Sequence, residues 1–169
     1  RGPATVAKRR RARESHPIPS MTDPRHSDVI VLGAGAAGLM CARVAGARGR
    51  RAVVIERNER PGMKILVSGG GRCNFTNRRV GAENFHSSNP DFARSALARS
   101  TPDDFLALVE AHGIPFQERK WGQLFCDDSA KSILRMLLAE CEGVGVQVLH
   151  GREAMAVRAR EPRGFDVTV

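Results

Sequence analysis

The sequence predicts an α/β fold built on a parallel sheet with a βαβ unit. Three observations predict it. An apolar, β-branched run, Asp28-Val-Ile-Val-Leu32, ends in Gly33-Ala-Gly35-Ala-Ala-Gly38, a G-x-G-x-x-G turn. A stretch of small residues with helical character follows that turn. A second apolar run, Val53-Val-Ile-Glu56, then ends in an acid 18 residues beyond Gly38. Strand, turn, helix, strand and acid in this order are the fingerprint of a Rossmann-type dinucleotide-binding domain, FAD- or NAD(P)-binding.

Each part of the fingerprint has its own task. Gly33 allows the tight turn out of the first strand. Gly35 has no Cβ, so a pyrophosphate can approach the backbone, and Gly38 lets the helix lie close on the strand. The helix N-terminus offers free N–H groups and the positive end of its dipole to the phosphates. Glu56 can accept hydrogen bonds from both ribose hydroxyls of an adenosine, and its charge repels a 2′-phosphate. A lone glycine motif reads equally well as a turn that packs a helix on a strand. The coincidence of all five parts separates this one from that reading.

A second glycine-rich segment begins eight residues after Glu56, and it narrows the ligand. It reads Lys64-Ile-Leu-Val-Ser68-Gly69-Gly70-Gly71-Arg72-Cys73-Asn74-Phe75-Thr76-Asn77. Three consecutive glycines are expected to prevent regular structure and to let bare backbone approach a flat ligand. Ser68, Arg72, Asn74, Thr76 and Asn77 crowd hydrogen-bonding groups around them. A nicotinamide dehydrogenase needs no such loop here. FAD, with its ribityl chain and polar isoalloxazine rim, can use one.

With these residues in view, the chain resembles the bacterial BaiN/RdsA-like family of NAD(P)/FAD-dependent oxidoreductases, which includes aminoacetone-oxidase-type flavoproteins. DVIVLGAGAAGLMCA, VVIERN, GMKILVSGGGRCNFTN and, more loosely, WGQLF with the helix after it carry the resemblance, from about Asp28 to Val169. It implies that Gly33, Gly35 and Gly38, with Ala36 and Ala37 between and beside them, hold the pyrophosphate. Glu56 holds the ribose, and Arg57 joins the cofactor-binding set. It also implies that Lys64, Ser68, Gly69, Gly70, Gly71, Arg72, Cys73 and Asn74 lie toward the flavin. By the same resemblance, the backbone of Ala154 contacts the adenine. The chain departs from the family's pattern at Cys126, where a proline is usual. Family members continue into a later glycine-rich turn and a substrate domain, so the expectation is a C-terminally truncated Rossmann-type domain over 25–169 with an incomplete flavin site.

The middle of the chain reads as helices and a hairpin. Asn89-Pro90 opens a helix with Phe92, Ala96 and Leu97 on one face. Thr101-Pro-Asp-Asp104 is a capping box with proline at the first helical position, and Gly113 stops that helix. Ile114 to Arg119 and Gln123 to Cys126 read as two short strands joined around Trp121-Gly122. Asp127-Asp128-Ser129 caps a third helix with Ile133, Leu134, Leu137, Leu138 and Cys141 as its buried stripe, ended by Gly143. Val144 to Leu149 and Ala154 to Arg160 alternate as strands do, and Phe165 to Val169 begins another.

Charge and cysteines set outer bounds. Arg1, Lys8, Arg9, Arg10, Arg11 and Arg13 against Glu14 place +5 of the chain's net +9 in the first 20 residues. That segment lacks apolar periodicity, so residues 1–24 are expected to be a disordered basic tail. Met21 reads as a natural start, with the tail as upstream sequence or a fusion scar. No run approaches the ~20 apolar residues of a membrane span. The folded region shows no basic patch interleaved with aromatics, so no nucleic-acid partner is expected from it. Cys41, Cys73, Cys126 and Cys141 have no metal-ligand spacing, and no metal is expected. Cys41 and Cys141 read as small core residues, and Cys73 is the one candidate for redox chemistry. Scattered thiols suit a reducing cytoplasm.

No acid–base pair can be named, so the catalytic residues are open and the flavin itself would carry the electron chemistry. The leading reading is the FAD-binding portion of a flavin oxidoreductase that passes hydride between NAD(P)H, flavin and a small substrate. Two others share the βαβ unit. One is an NAD-dependent dehydrogenase, against which the Ser68 to Asn77 loop argues. The other is an inactive fragment or noncatalytic dinucleotide-binding module.

Overall fold

The computed structural model describes residues 26–169. The basic tail and the reading of Met21 lie outside the described residues. Strand β1 (Val29–Leu32) leads through the first glycine turn into helix α1 (Ala36–Ala47), and β2 (Ala52–Glu56) follows. After helix α2 (Met63–Val67), a single 3-10 turn and strand β3 (Asn74–Asn77), the chain forms helices α3 (Arg94–Arg99) and α4 (Pro102–Ala111). Strands β4 (Phe116–Glu118) and β5 (Gln123–Cys126) precede helix α5 (Ala130–Gly143). Strands β6 (Gln147–His150), β7 (Ala156–Ala159) and β8 (Phe165–Thr168) complete it.

The organising element is a three-stranded parallel sheet in the order β1-β2-β6. Its middle strand, β2, is buried along its whole length, Glu56 included. Neighbours on both edges and helix α1 packed on it explain why that strand is apolar throughout until Glu56, instead of alternating. The register pairs Ile30 with Val53 and Glu56 with His150, so the strand ends carrying the acid and the first glycine turn lie side by side. The β6 pairing supplies the third parallel strand that the resemblance implies.

Helix α5 packs on α1 and α2. Of its predicted stripe, Ile133, Leu134, Leu137 and Cys141 are buried while Leu138 is only partly so and Met136 joins them inside, and the Cys141 thiol donates to the Leu39 carbonyl at 3.3 Å. Glu140 joins three elements, accepting from Arg43 on α1 and contacting His112 Nε2, just past α4, at 2.8 Å. The cap of α4 forms as its sequence predicts: the Asp104 N–H donates to Thr101 Oγ1 at 3.1 Å, and the Thr101 N–H donates to Asp104 Oδ2 at 2.8 Å. A second sheet, antiparallel in the order β3-β5-β4, and a β7–β8 hairpin complete the fold. No helix among the described residues is long and apolar enough to cross a membrane.

Local expectations hold in part. The glycine triplet itself departs from regular helix, with left-handed φ at all three positions as expected, while α2 precedes it and β3 follows it almost at once. The helix expected from Asn89 begins at Arg94, and Phe92 is exposed, because only Ala93 in that stretch finds the core. Cys41 is exposed, since α1 buries only Leu39 and Ala42 and position 41 falls on its outer side. Helix α5 ends at Gly143 as expected, and it is Gly145, two positions on, that turns the chain away. Gly145 is the one with positive φ, 74°, and the Gly145 and Val146 N–H groups close the last turn on Glu142 and Cys141.

Candidate functional site

The first glycine turn is built from three different steric needs. Gly33 has φ +101°, a region that side-chain-bearing residues rarely adopt, and its N–H donates to the Ile55 carbonyl at 2.8 Å. A Cβ on Gly35 would meet nothing within 4 Å, so the backbone there faces free space. A Cβ on Gly38 would lie 1.9 Å from the Gly33 carbonyl oxygen and 3.3 Å from Val31 Cγ1, so the helix can sit this close to the strand only with glycine at that position. Gly35 is the N-cap of α1, no side chain caps that end, and no acid stands in its first turn. The positive end of a 12-residue helix is therefore left for an anion.

Glu56 is held rigidly. Its Oε2 accepts from the Ala34 N–H at 2.8 Å. Its Oε1 accepts from the Asn58 N–H at 2.9 Å and from Asn58 Nδ2 at 2.6 Å. Burial works to raise its pKa, but the N–H groups of Asn58 and Ala34 outweigh it and hold the carboxyl below the usual glutamate range. The side chain is thus ionised; Oε1 already takes two donors, and Oε2, with one, keeps a lone pair for a further donor.

These residues open onto a cleft of about 460 Å³ at the carboxyl ends of the parallel strands. Its walls bring together Gly33, Gly35, Glu56, Arg57, Lys64 and Ala154, residues that the sequence places in four separate segments. Ala36 and Ala37 are exposed in the first turn of α1 and do not line it, while Gly38 faces the strand. Ser68, Gly69, Gly70, Gly71, Arg72, Cys73 and Asn74 are also absent from its lining.

The cleft adds residues that sequence reasoning missed. Asn58 fixes Glu56 from two positions along, a pairing that an Asn after a strand-end acid could have signalled. Gly62 has φ +70°, its N–H donates to the Ala34 carbonyl at 2.9 Å, and a Cβ there would lie 2.4 Å from Leu134 Cδ1. The Pro61-Gly62 pair was its signal. Arg152 follows β6, and its N–H donates to the Glu56 carbonyl at 2.9 Å. Arg57, Lys64 and Arg152 place cations around the opening, with Glu153 beside them.

The second glycine segment forms its own structure. Gly69, Gly70 and Gly71 have φ of +56°, +67° and +84°, a run of left-handed residues that only glycine takes without strain. A Cβ on Gly69 would lie 2.8 Å from both the Asn74 backbone nitrogen and Phe125 Cε1. Ser68 Oγ donates to the Ile65 carbonyl at 2.7 Å, and the Cys73 N–H to the Ser68 carbonyl at 3.0 Å. Burial pushes the Cys73 thiol up, only partly offset by a hydrogen bond with Ser68. Cys73 is therefore a protonated, buried thiol, the unreactive kind. Among the described residues no group of three or more His, Cys, Asp or Glu side chains is placed to hold a metal ion.

A strand-turn-helix unit with an open glycine backbone, a helix dipole aimed at it and an ionised acid at the end of the next strand defines a Rossmann-type dinucleotide-binding protein. Solved structures share the fold at low identity. The 3-ketosteroid-Δ4-(5α)-dehydrogenase of Rhodococcus jostii RHA1 matches with TM-score 0.57 at 16% identity, over 80% of this chain and 40% of that one. Thermovibrio ammonificans THI4 matches with TM-score 0.52 at 16% identity, over 83% of this chain and 45% of that one.

Sequence comparison is more specific. The HI0933-like protein Rossmann domain matches residues 27–169. The ribosomal RNA dihydrouridine synthase of Escherichia coli K12 is 51% identical over 138 residues, 82% of this chain and 34% of that protein. The protein of the same name from Haemophilus influenzae is 45% identical over 133 residues, 79% of this chain and 33% of that protein. The 3-dehydro-bile acid delta(4,6)-reductase of Clostridium scindens is 31% identical over 139 residues, 80% of this chain and 33% of that protein. The chain belongs to the HI0933-like Rossmann family of BaiN/RdsA-type FAD-dependent oxidoreductases, and it spans about a third of the length of these curated relatives.

Proposed function

We propose that the cleft holds the adenosine and pyrophosphate of FAD, and that the chain is the FAD-binding part of a reductase acting on uridine in RNA. One observation carries the cofactor reading: the open backbone at Gly35, the fixed carboxylate of Glu56 and Ala154 share one cleft. The donor set fits the group. A pyrophosphate needs bare N–H groups and positive charge, which Gly35, the start of α1 and the nearby Arg57, Lys64 and Arg152 offer. A ribose needs an ionised acceptor, which Glu56 is. Bound there, FAD would supply hydride transfer, with NAD(P)H as the reading's electron donor. The chain's part is to bind and orient: Glu56 fixes the ribose, and its own hydrogen bonds to Ala34 and Asn58 keep its position when the ligand leaves.

The substrate reading comes from chemistry that the relatives' names share. Dihydrouridine is uridine with the ring C5=C6 bond reduced, and that bond is conjugated to a carbonyl. A 3-dehydro-bile acid reductase named for delta(4,6) also works beside a ketone. Hydride addition to a carbon–carbon double bond conjugated to a carbonyl covers both. The sequence alone pointed to a small-molecule substrate. The higher identity to the two RNA-acting relatives favours uridine in RNA.

The test is to incubate the whole reductase that contains this chain with FAD, NADPH or NADH, and a uridine-containing RNA, then digest the RNA to nucleosides for mass spectrometry. Dihydrouridine that forms only with FAD and a nicotinamide donor is the expected result. Nicotinamide oxidation without dihydrouridine would remove RNA as the substrate. A protein that does not bind FAD would remove the cofactor reading itself.

A further inference from the structure

We propose that the tip of the antiparallel sheet is an RNA-contact surface, on which Trp121 stacks against an unpaired base while Arg79, Arg119 and Lys120 meet the adjoining phosphates. The proposal rests on the RNA-substrate reading and gives it a place on the molecule.

The first observation is Trp121 itself. It stands in the turn between β4 and β5 with 75% of its surface exposed, the highest value among the exposed large apolar side chains. Among the described residues its ring meets no other aromatic ring. Its backbone has φ +62°, ψ 23°, followed by Gly122 at φ +80°. Two successive left-handed residues suit Asn-Gly at no cost, whereas a bulky ring in that conformation is an outlier. The fold thus carries a strained, solvent-facing indole that contributes nothing to the core. Such outliers persist at binding sites, where the strain is part of the task.

The second observation is charge assembled by the fold. The Arg78 N–H donates to the Gly122 carbonyl at 2.9 Å, which ties the end of β3 to the turn forty-odd residues later. Arg78 Nε then pairs with Glu118 Oε2 at 3.1 Å and neutralises the acid of this tip. Arg79, Arg119 and Lys120 are left as a cationic surround, and among the described residues no carboxylate pairs with them. The Arg79 stem lies against the turn, 3.2 Å from where a Cβ on Gly122 would be. The Arg119 guanidinium is set 4.3 Å over the Phe125 ring.

The third observation is position. Phe125 carries Arg119 on its ring and touches the space beside Gly69, so the basic tip adjoins the left-handed glycine loop. An exposed aromatic ringed by cations is what recognises splayed RNA bases, the ring taking the π-face and the cations the backbone. An acidic protein surface would match the charge but gives no reason for a strained indole at the summit.

Trp121 is the chain's one tryptophan, so its emission reports the contact directly. The probe is a fluorescein-labelled RNA hairpin with a uridine-containing loop, titrated into the protein, Trp121→Asn, Trp121→Phe and Arg79→Glu/Lys120→Glu. Asparagine suits the turn, so Trp121→Asn removes the ring and keeps the fold. Expected results are quenching of Trp121 emission by RNA, roughly tenfold weaker RNA binding for Trp121→Asn, and near-parental binding for Trp121→Phe. The charge-reversed pair should weaken binding and flatten its salt dependence. FAD binding should be unchanged throughout, and no variant should melt below the parent, with Trp121→Asn slightly above it as the strain is relieved. RNA binding that ignores all these variants would overturn this surface and leave RNA as a substrate. Equal quenching by polyglutamate would assign the tip to an acidic protein instead. An unaltered protein that binds no RNA would overturn both the surface and the RNA-substrate reading.

Discussion

Gly33, Gly35 and Gly38 are spaced along one turn, while Gly69, Gly70 and Gly71 run together in another. In the spaced turn each glycine answers a separate demand: positive φ at Gly33, open space at Gly35, and close contact of helix and strand at Gly38. In the contiguous turn all three answer the same demand, a left-handed path that joins α2 to β3. The lesson is that spacing carries function more legibly than abundance. The spaced glycines line or support the cleft with Glu56 and Ala154. The contiguous ones shape a loop whose contacts run to Asn74 and Phe125.

Substitutions can break this comparison glycine by glycine. Gly38→Val should be the most damaging. Its Cβ would fall 1.9 Å from a backbone oxygen that cannot move without taking β1 with it. We expect a loss of about 4 kcal/mol or more, enough to unfold the domain at ordinary temperature, read by circular dichroism on heating. A melting temperature near the parent's would mean that helix and strand are not packed as described.

Gly69→Ala should follow, at about 2–3 kcal/mol, because positive φ and a 2.8 Å contact with both Asn74 and Phe125 act together. Urea titration at constant slope measures it. Gly70→Ala, with φ +67° but nothing within 4 Å, should cost only about 1 kcal/mol. Equal losses for the two would show that the loop adapts and that the contacts of Gly69 do not matter.

Glu56→Gln falls between those two, at about 1.5 kcal/mol near neutral pH, through weaker hydrogen bonds from Ala34 and Asn58. Its pH dependence has a definite sign. Glu56 titrates below its unfolded value of 4.5, so its contribution is present above that pH and is lost as the pH falls through the folded pKa. Glu140, held down first by its hydrogen bond with His112, acts in the same direction. The parent should therefore lose stability on acidification more steeply than Glu56→Gln. Parallel acid limbs in denaturation at graded pH would show that Glu56 is not held as an anion.

Much of the fold was legible because the βαβ fingerprint is contiguous, and each of its residues reports a local backbone need. The capping box at Thr101 and the buried stripe of α5 were legible for the same reason. What escaped depends on distant partners. Gly62 is required by Leu134, more than seventy positions away, and Arg152 reaches Glu56 only because β6 pairs with β2. Cys41 sits on α1 at a spacing compatible with either face, and only the docking of α5 decides which is inside. The basic tip is invisible in the linear sequence because Arg78-Arg79 and Arg119-Lys120-Trp121 become neighbours only through the β3–β5 register.

The assignment of the cleft to FAD is tested most directly at Gly35. A Cβ added there would meet nothing within 4 Å and its φ of −82° suits any residue, so Gly35→Val should leave melting temperature nearly unchanged while filling the room a pyrophosphate needs. FAD is titrated into the parent and Gly35→Val, followed by flavin fluorescence and the visible spectrum. The predicted result is saturable binding by the parent and none by the folded variant. Superimposable curves for the two would contradict the placement of the dinucleotide in this cleft.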